Sequence, residues 1–150
     1  MLEIRPAEST DLPAIERLLE ASRLPLAGVR EALPHFLIAR QDGRMVGVIG
    51  MEVLGGLGLV RSAAVEPGSR GTGVGRALVE RVLAEAASYR IRELYLLTTT
   101  AERWFTRFGF RHVERADVPE PIRSTVEFRE ACPESAAVMM REIERRREGR

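Results

Sequence analysis

The sequence predicts a single α/β domain, and three observations carry that prediction. The chain has 150 residues, enough to bury one sizeable core and too few for two. It is 45% hydrophobic and 30% charged, the mixture of a globular protein. Short runs with strand character alternate with longer runs of helical periodicity, and no internal repeat or low-complexity linker divides them.

Leu2 to Arg5 reads as a first strand. Thr10 is placed to cap a helix, with Asp11 and Pro13 in its first turn, and Leu12, Ile15, Leu18 and Leu19 recur at helical spacing to about Ala21. Arg23 to Leu33 is a loop or a short second helix. His35 to Arg40 and Met45 to Val53 are strands around Gln41-Asp42-Gly43-Arg44, where Asp-Gly signals a hairpin turn. Leu59 to Val65 is the fourth strand. Val74 to Ser88 is a helix with Leu78, Val79, Val82, Leu83 and Ala86 on one face. Glu93 to Thr98 is the fifth strand. Ala101 to Phe108 is a short helix closed by Gly109, and Phe110 to Arg115 the sixth strand. Pro119 to Glu130 reads as a helix with Ile122, Val126 and Phe128 inward. Ala136 to Ile143 is assigned as a final strand, partly by resemblance to a known family. Glu144 to Arg150 is a charged tail beyond a domain of residues 1–143.

Composition removes several function classes. All 23 basic residues are arginine, which excludes a Walker A lysine, a pyridoxal Schiff base and any lysine nucleophile. His35, His112 and Cys132 fall short of a zinc site, so no metal is expected. A net charge of +1 gives no reason to expect nucleic acid as a partner. No apolar run reaches the roughly 18 residues of a membrane span, and the N-terminus lacks a signal-peptide core. One cysteine cannot form an intrachain disulfide, so a cytoplasmic location is favoured, and Cys132 reads as core rather than catalytic. A homodimer is left open.

The most informative segment runs from Leu59 to Leu78: a strand, an arginine- and glycine-rich turn, then an amphipathic helix. Backbone N–H groups in such a turn have no internal partner and meet the positive end of the helix dipole, which makes an anion cradle suited to a pyrophosphate. Gly71, Gly73 and Gly75 let the backbone approach a ligand, and Arg70 and Arg76 add charge-assisted contacts. A dinucleotide fingerprint fits less well, because the third glycine comes one residue early and four strands precede it. A glycine-rich loop with no ligand is the other reading of these residues.

Arg70-Gly71-Thr72-Gly73-Val74-Gly75, after a strand ending Val65-Glu66-Pro67, resembles the acetyl-CoA signature of the GCN5-related N-acetyltransferases (GNAT). Leu94-Tyr95-Leu96-Leu97-Thr98, the helix to Phe108 and the Gly109-Phe110 step resemble that family's fifth strand, short helix and Gly-Phe step. The resemblance implies one GNAT domain, with a mixed, mostly antiparallel sheet of six to seven strands flanked by helices and with strands four and five splayed. It implies acetyl-CoA as co-substrate, its pantetheine arm pairing with the backbone of Ala63, Ala64 and Val65 and its pyrophosphate on the turn Arg70, Gly71, Thr72, Gly73, Val74, Gly75 and Arg76. A small-molecule amine then attacks the thioester directly. The protein supplies position and electrostatics more than covalent chemistry.

A primary amine is mostly protonated at pH 7, so a base is needed, and Glu52 and Glu66 are the candidates. The family's usual tyrosine, four residues before the Gly-Phe glycine, is Phe105 here. Departure of the thiolate then relies on water or on nearby N–H groups, tolerable for a thiol of pKa near 8.5.

Leu96 to Phe110, with Leu-Thr-Thr and Trp104-Phe105, resembles the acetyltransferase domain of bacterial N-acetylglutamate synthases. The stretch extended through Pro119-Glu120-Pro121-Ile122-Arg123, Glu127-Phe128 and Cys132-Pro133-Glu134-Ser135-Ala136 resembles N-acetyltransferases of arsenic-resistance operons. Both resemblances imply an acidic α-amino acid or analogue as acceptor. A carboxylate wants a guanidinium fork, for which Arg23 and Arg61 are candidates, Arg61 read as facing the same side as Ala63 and Val65; Thr98 and Thr99 could add hydroxyl contacts. The rival readings are an acetyltransferase for a polyamine or a protein N-terminus, and an acetyl-CoA sensor without turnover.

Overall fold

In the computed structural model, which describes residues 1–131 and 135–144, the strands are β1 (Leu2–Pro6), β2 (Phe36–Gln41), β3 (Arg44–Leu54), β4 (Leu57–Val65), β5 (Glu93–Thr98), β6 (Arg111–Val113) and β7 (Ala137–Glu142). They form one sheet in the order β1-β2-β3-β4-β5-β7-β6. Every neighbouring pair is antiparallel except β4 and β5, which are parallel. The helices are α1 (Leu12–Ala21), α2 (Val29–Ala32), α3 (Val74–Ser88), α4 (Glu102–Thr106) and α5 (Glu120–Arg123). The Cys132 and tail assignments lie outside the described residues, apart from Glu144.

The hairpin after β2 turns at Asp42 and Gly43, both with positive φ as a type I′ turn requires. α1 starts differently from the sequence expectation. Thr10 does not cap it; a short 3-10 turn at Ser9–Asp11 leads in, and Asp11 accepts the Glu8 N–H at 2.7 Å and two hydrogen bonds from Arg5.

Both faces of the sheet are covered. Leu78, Val79, Val82 and Ala86 of α3 pack with Val46, Ile49, Val60 and Leu96 on one face. On the other, Ile15 and Leu19 of α1 and Val29 of α2 cover Phe36, Ile38 and Val48, while Ile122 of α5 packs on Leu59, Tyr95 and Met140. The turn glycine at 75 belongs to this packing, because a Cβ there would stand 3.2 Å from the Trp104 ring.

Two irregularities shape the middle of the sheet. Gly50 pairs with Arg61 and Val48 with Ala64, so β4 carries one residue more than β3 between those pairs. The extra residue is a bulge, and Ser62 within it holds a left-handed φ of 59° although it is not glycine. Two residues upstream of Ser62, the pairing of β4 with β5 ends at Val60 and Leu96. Arg61 to Val65 therefore run on without a β5 partner, and the two strands part.

The segment expected to be one helix from Pro119 to Glu130 is broken. α5 stops at Arg123, and a π-helical turn spans Glu127–Ala131. The helical phase is lost between them. Ile122 is buried as expected, but Val126 is 40% exposed and Glu127 only 5%.

Candidate functional site

The parting of β4 and β5 opens a cleft of about 680 Å³. One wall is β4 from Val60 to Val65, the other β5 from Leu96 to Thr98 continuing to Ala101. Gly71, Gly73 and Arg76 stand at one end, Arg23, Leu24 and Pro25 at another, and Trp104, Phe105 and Glu127 also line it.

The turn before α3 is shaped for a close ligand. Gly71 and Gly73 have φ of 80° and 93°, and nothing lies within 4 Å of where a Cβ would stand on either. Gly73 caps α3, so the first-turn N–H groups of the helix face outward without intrahelical partners. Arg70 donates to the Val65 carbonyl at 3.2 Å, and Arg76 makes only an exposed pair with Glu80 at 3.4 Å. Both remain beside the turn as positive charge. The Val74 side chain is buried in the core and the Thr72 hydroxyl bonds the Ser69 carbonyl, so these two can offer a ligand their backbone only.

Arg61 departs from its expected facing. The Ser62 bulge reverses the alternation of side chains, so Arg61 shares a face with Ala64 and not with Ala63 and Val65. Its side chain is fully buried. Nε donates to Ser62 Oγ at 3.1 Å, one terminal nitrogen to Glu52 at 3.0 Å, and the other to the Ala27 carbonyl at 2.6 Å. The guanidinium lines the cleft, yet each of its nitrogens is already engaged. Gly28 makes room for it; a Cβ there would sit 2.8 Å from an Arg61 nitrogen.

Neither expected base lies on the cleft wall. Glu52 is held by Arg61, and Glu66 pairs with Arg44 at 3.4 Å. Among the described residues the carboxylate that lines the cleft is Glu127, which sequence reasoning missed. Its Oε1 is buried, has no hydrogen-bond partner among the described residues, and lies 3.7 Å from Arg61. Burial pushes its proton affinity above that of an ordinary carboxylate, Arg61 works against this, and Glu52 adds to it. The sequence signal was a lone acid between two apolar residues, hidden because continuous helical spacing points Val126 inward.

Arg23 lines the cleft mouth, is exposed, and meets no carboxylate among the described residues. Thr98 and Thr99 both line the cleft, but the Thr98 hydroxyl accepts the Ala101 N–H at 2.9 Å. Phe105 presents a ring packed edge-on against Trp104 and Phe110. Neither tyrosine lines the cleft. Tyr89 lies against His35, and Tyr95 bonds Glu93, its phenol pushed up to about 12 mainly by burial.

This architecture has close counterparts. The family model described as an acetyltransferase (GNAT) domain matches residues 32–112. An amino-acid acetyltransferase of Mycobacterium tuberculosis is 32% identical over 129 residues, covering 79% of this chain and 74% of its own. A Mycobacterium tuberculosis protein crystallised with coenzyme A superposes with a TM-score of 0.81 at 26% identity, over 95% of this chain and 99% of its own. The N-acetylglutamate synthase of Neisseria gonorrhoeae, in complex with coenzyme A and N-acetyl-glutamate, shares the fold with a TM-score of 0.83 at 24% identity, over 97% of this chain; the chain spans 36% of that protein.

Proposed function

The chain belongs to the GNAT family of acetyltransferases, enzymes that use acetyl-CoA as co-substrate, and we propose that it acetylates the amine of a small, acidic, glutamate-like amino acid. The carrying observation is the cleft itself. Beyond Val60 the backbone of β4 stays paired with β3 but has no partner on its β5 side, and that free edge runs towards the glycine turn. An extended pantetheine arm lies on Ala63 to Val65 as an added strand would, and the diphosphate reaches Gly71 to Arg76.

The acceptor enters at the other end. Arg23, which meets no carboxylate among the described residues, is the fork that holds the acceptor's carboxylate, while Arg61 keeps the floor in place and Thr99 lies within the same wall. The names of the relatives support an amino-acid acceptor, and the structural neighbour bound to N-acetyl-glutamate supports an acidic one. The resemblance to arsenic-resistance acetyltransferases keeps glutamate-like arsenic or phosphinic amino acids among the acceptors to assay. Transfer is direct: the amine nitrogen attacks the thioester carbonyl carbon, the C–N bond forms, the C–S bond breaks, and the coenzyme leaves as thiolate. Phe105 contributes shape and dryness at that point, and the thiolate takes its proton from the acceptor or from water.

Arg23→Ala tests the acceptor half. Losing a charge-assisted carboxylate contact costs about 1.5–3 kcal/mol, so the KM for L-glutamate should rise about tenfold or more. Acetyl-CoA affinity should stay within about twofold. Equal losses in both would remove Arg23 from the acceptor site.

A further inference from the structure

We infer that Glu127 receives the acceptor's amino group and takes its proton; this role rests on the acetyltransferase reading above. Glu127 stands on the π-helical turn Glu127–Ala131, and π-type irregularities concentrate at functional sites. Its side chain lines the cleft and is more than nine-tenths buried. A carboxylate oxygen so placed and left without a hydrogen bond among the described residues is expensive, and native structures seldom keep one without a use. Arg61 does not close the gap. Its Nη2 is 3.7 Å from Oε1, beyond hydrogen-bond reach, and is held back by the Ala27 carbonyl.

The missing donor matches an ammonium group. A primary ammonium brings N–H donors and a positive charge to an acceptor-only oxygen. Arg61 from β4 and Glu52 from β3 are the ionisable groups whose charge bears on Glu127. Glu52 is held behind Arg61, so at this part of the cleft the guanidiniums of Arg23 and Arg61 and the one carboxylate of Glu127 line the wall among the described residues, a surplus of one positive charge that suits an amino acid of net charge −1.

In the transfer step, Glu127 accepts one proton from the ammonium, freeing the nitrogen lone pair. Nitrogen bonds to the thioester carbonyl carbon, and the C–S bond breaks with its electron pair on sulfur. The second N–H proton goes to the thiolate, giving the free thiol, and Glu127 returns its own proton to water.

The test measures thiol release from acetyl-CoA with L-glutamate across pH, alongside calorimetric acetyl-CoA binding, for the wild type, Glu127→Gln and Glu127→Asp. General-base catalysis is worth about 10²–10⁴-fold. Glu127→Gln should therefore lose at least about a hundredfold in kcat. It should bind acetyl-CoA as before and lack the acid-side fall in rate that the wild type shows. Glu127→Asp should recover part of the loss and move that fall. If Glu127→Gln does not fold, the shift in the Asp variant carries the test, and an unshifted fall overturns the role. Wild-type kcat in the Gln variant overturns it too, as does a loss of acetyl-CoA affinity in step with kcat, which marks a structural residue. If the wild type transfers to no amino acid at all, the acidic-acceptor reading falls together with this one. That outcome is distinct from a working enzyme indifferent to residue 127.

Discussion

Arg61 ties three parts of the chain together at one buried point: Glu52 on β3, the Ala27 carbonyl before α2, and the Ser62 hydroxyl beside it. Taking the cation away leaves Glu52 and the buried Glu127 carboxylate without their common counter-charge. Breaking a buried pair from one side costs about 3–5 kcal/mol. Arg61→Ala should thus lower the denaturation midpoint sharply, and its effect on glutamate KM should be inseparable from that instability. A stable Arg61→Ala variant with a selective KM defect would return Arg61 to the role of substrate fork. At Gly73 the expectation is opposite in kind. Its φ is 93° and the space beside it is open, so Gly73→Asp introduces backbone strain and a carboxylate at the proposed diphosphate site. Acetyl-CoA affinity should fall at least about tenfold, or about 1.4 kcal/mol, by calorimetry. An unchanged affinity in a folded variant would remove the turn from the coenzyme site. Phe105→Tyr adds one hydroxyl at the cleft wall. Because the leaving thiolate takes its proton from the acceptor or from water, the added hydroxyl should change the rate less than about tenfold, below the 10²–10⁴-fold of a working general acid; a gain of about a hundredfold or more would contradict this.

At the scale of elements, most of the fold was legible because periodicity and turn chemistry agreed. Val74–Ser88 and Glu93–Thr98 have in the structure the bounds that hydrophobic spacing assigns them, and Asp42-Gly43 makes the expected hairpin. The misreadings share a physical cause: one residue inserted or a phase lost. The Ser62 bulge turns Arg61 onto the face opposite Ala63, and strict alternation cannot show it because nothing in Arg-Ser-Ala-Ala is a bulge signal such as glycine. The break after Arg123 exchanges Val126 for Glu127 at the inward position. The glycine turn was legible because Gly71 and Gly73 alternate just before an amphipathic helix whose first turn holds Gly75, and both take the positive φ that glycine favours. The start of α1 offers a pH test. Arg5 and the Glu8 N–H hold the Asp11 carboxyl below the usual carboxylate range. A depressed folded value means that this contribution is present above pH ~4, the unfolded carboxylate value, and is lost as pH falls through the folded value. Asp11→Asn removes the charge that pairs with Arg5 and should cost up to about 1 kcal/mol at neutral pH and less in acid, read from urea midpoints at both. An equal cost at both pH values would sever the link to Asp11 ionisation.

At the scale of the molecule, one sheet defect makes the site. Seven strands covered on both faces would leave no room for a ligand, but β4 and β5 part after Val60 and Leu96, and helices α3 and α4 frame the gap. The glycine turn, proposed as the diphosphate site, lines that gap together with Arg23, Arg61 and Glu127. The near-neutral net charge of +1 gives no long-range pull toward polyanions or polycations, so discrimination between acceptors falls to these few groups. Acceptor preference is therefore the most direct test. Initial rates of thiol release from acetyl-CoA should be measured with L-glutamate, phosphinothricin, L-arginine, spermidine and a short peptide at one pH. A kcat/KM for the glutamate-like acids at least about tenfold above the cationic and peptide amines, about 1.4 kcal/mol of transition-state discrimination, is the predicted result. A preference for spermidine or the peptide would contradict the assignment of the cleft to an acidic amino acid, and acetyl-CoA binding with no release for any amine would make the protein a sensor.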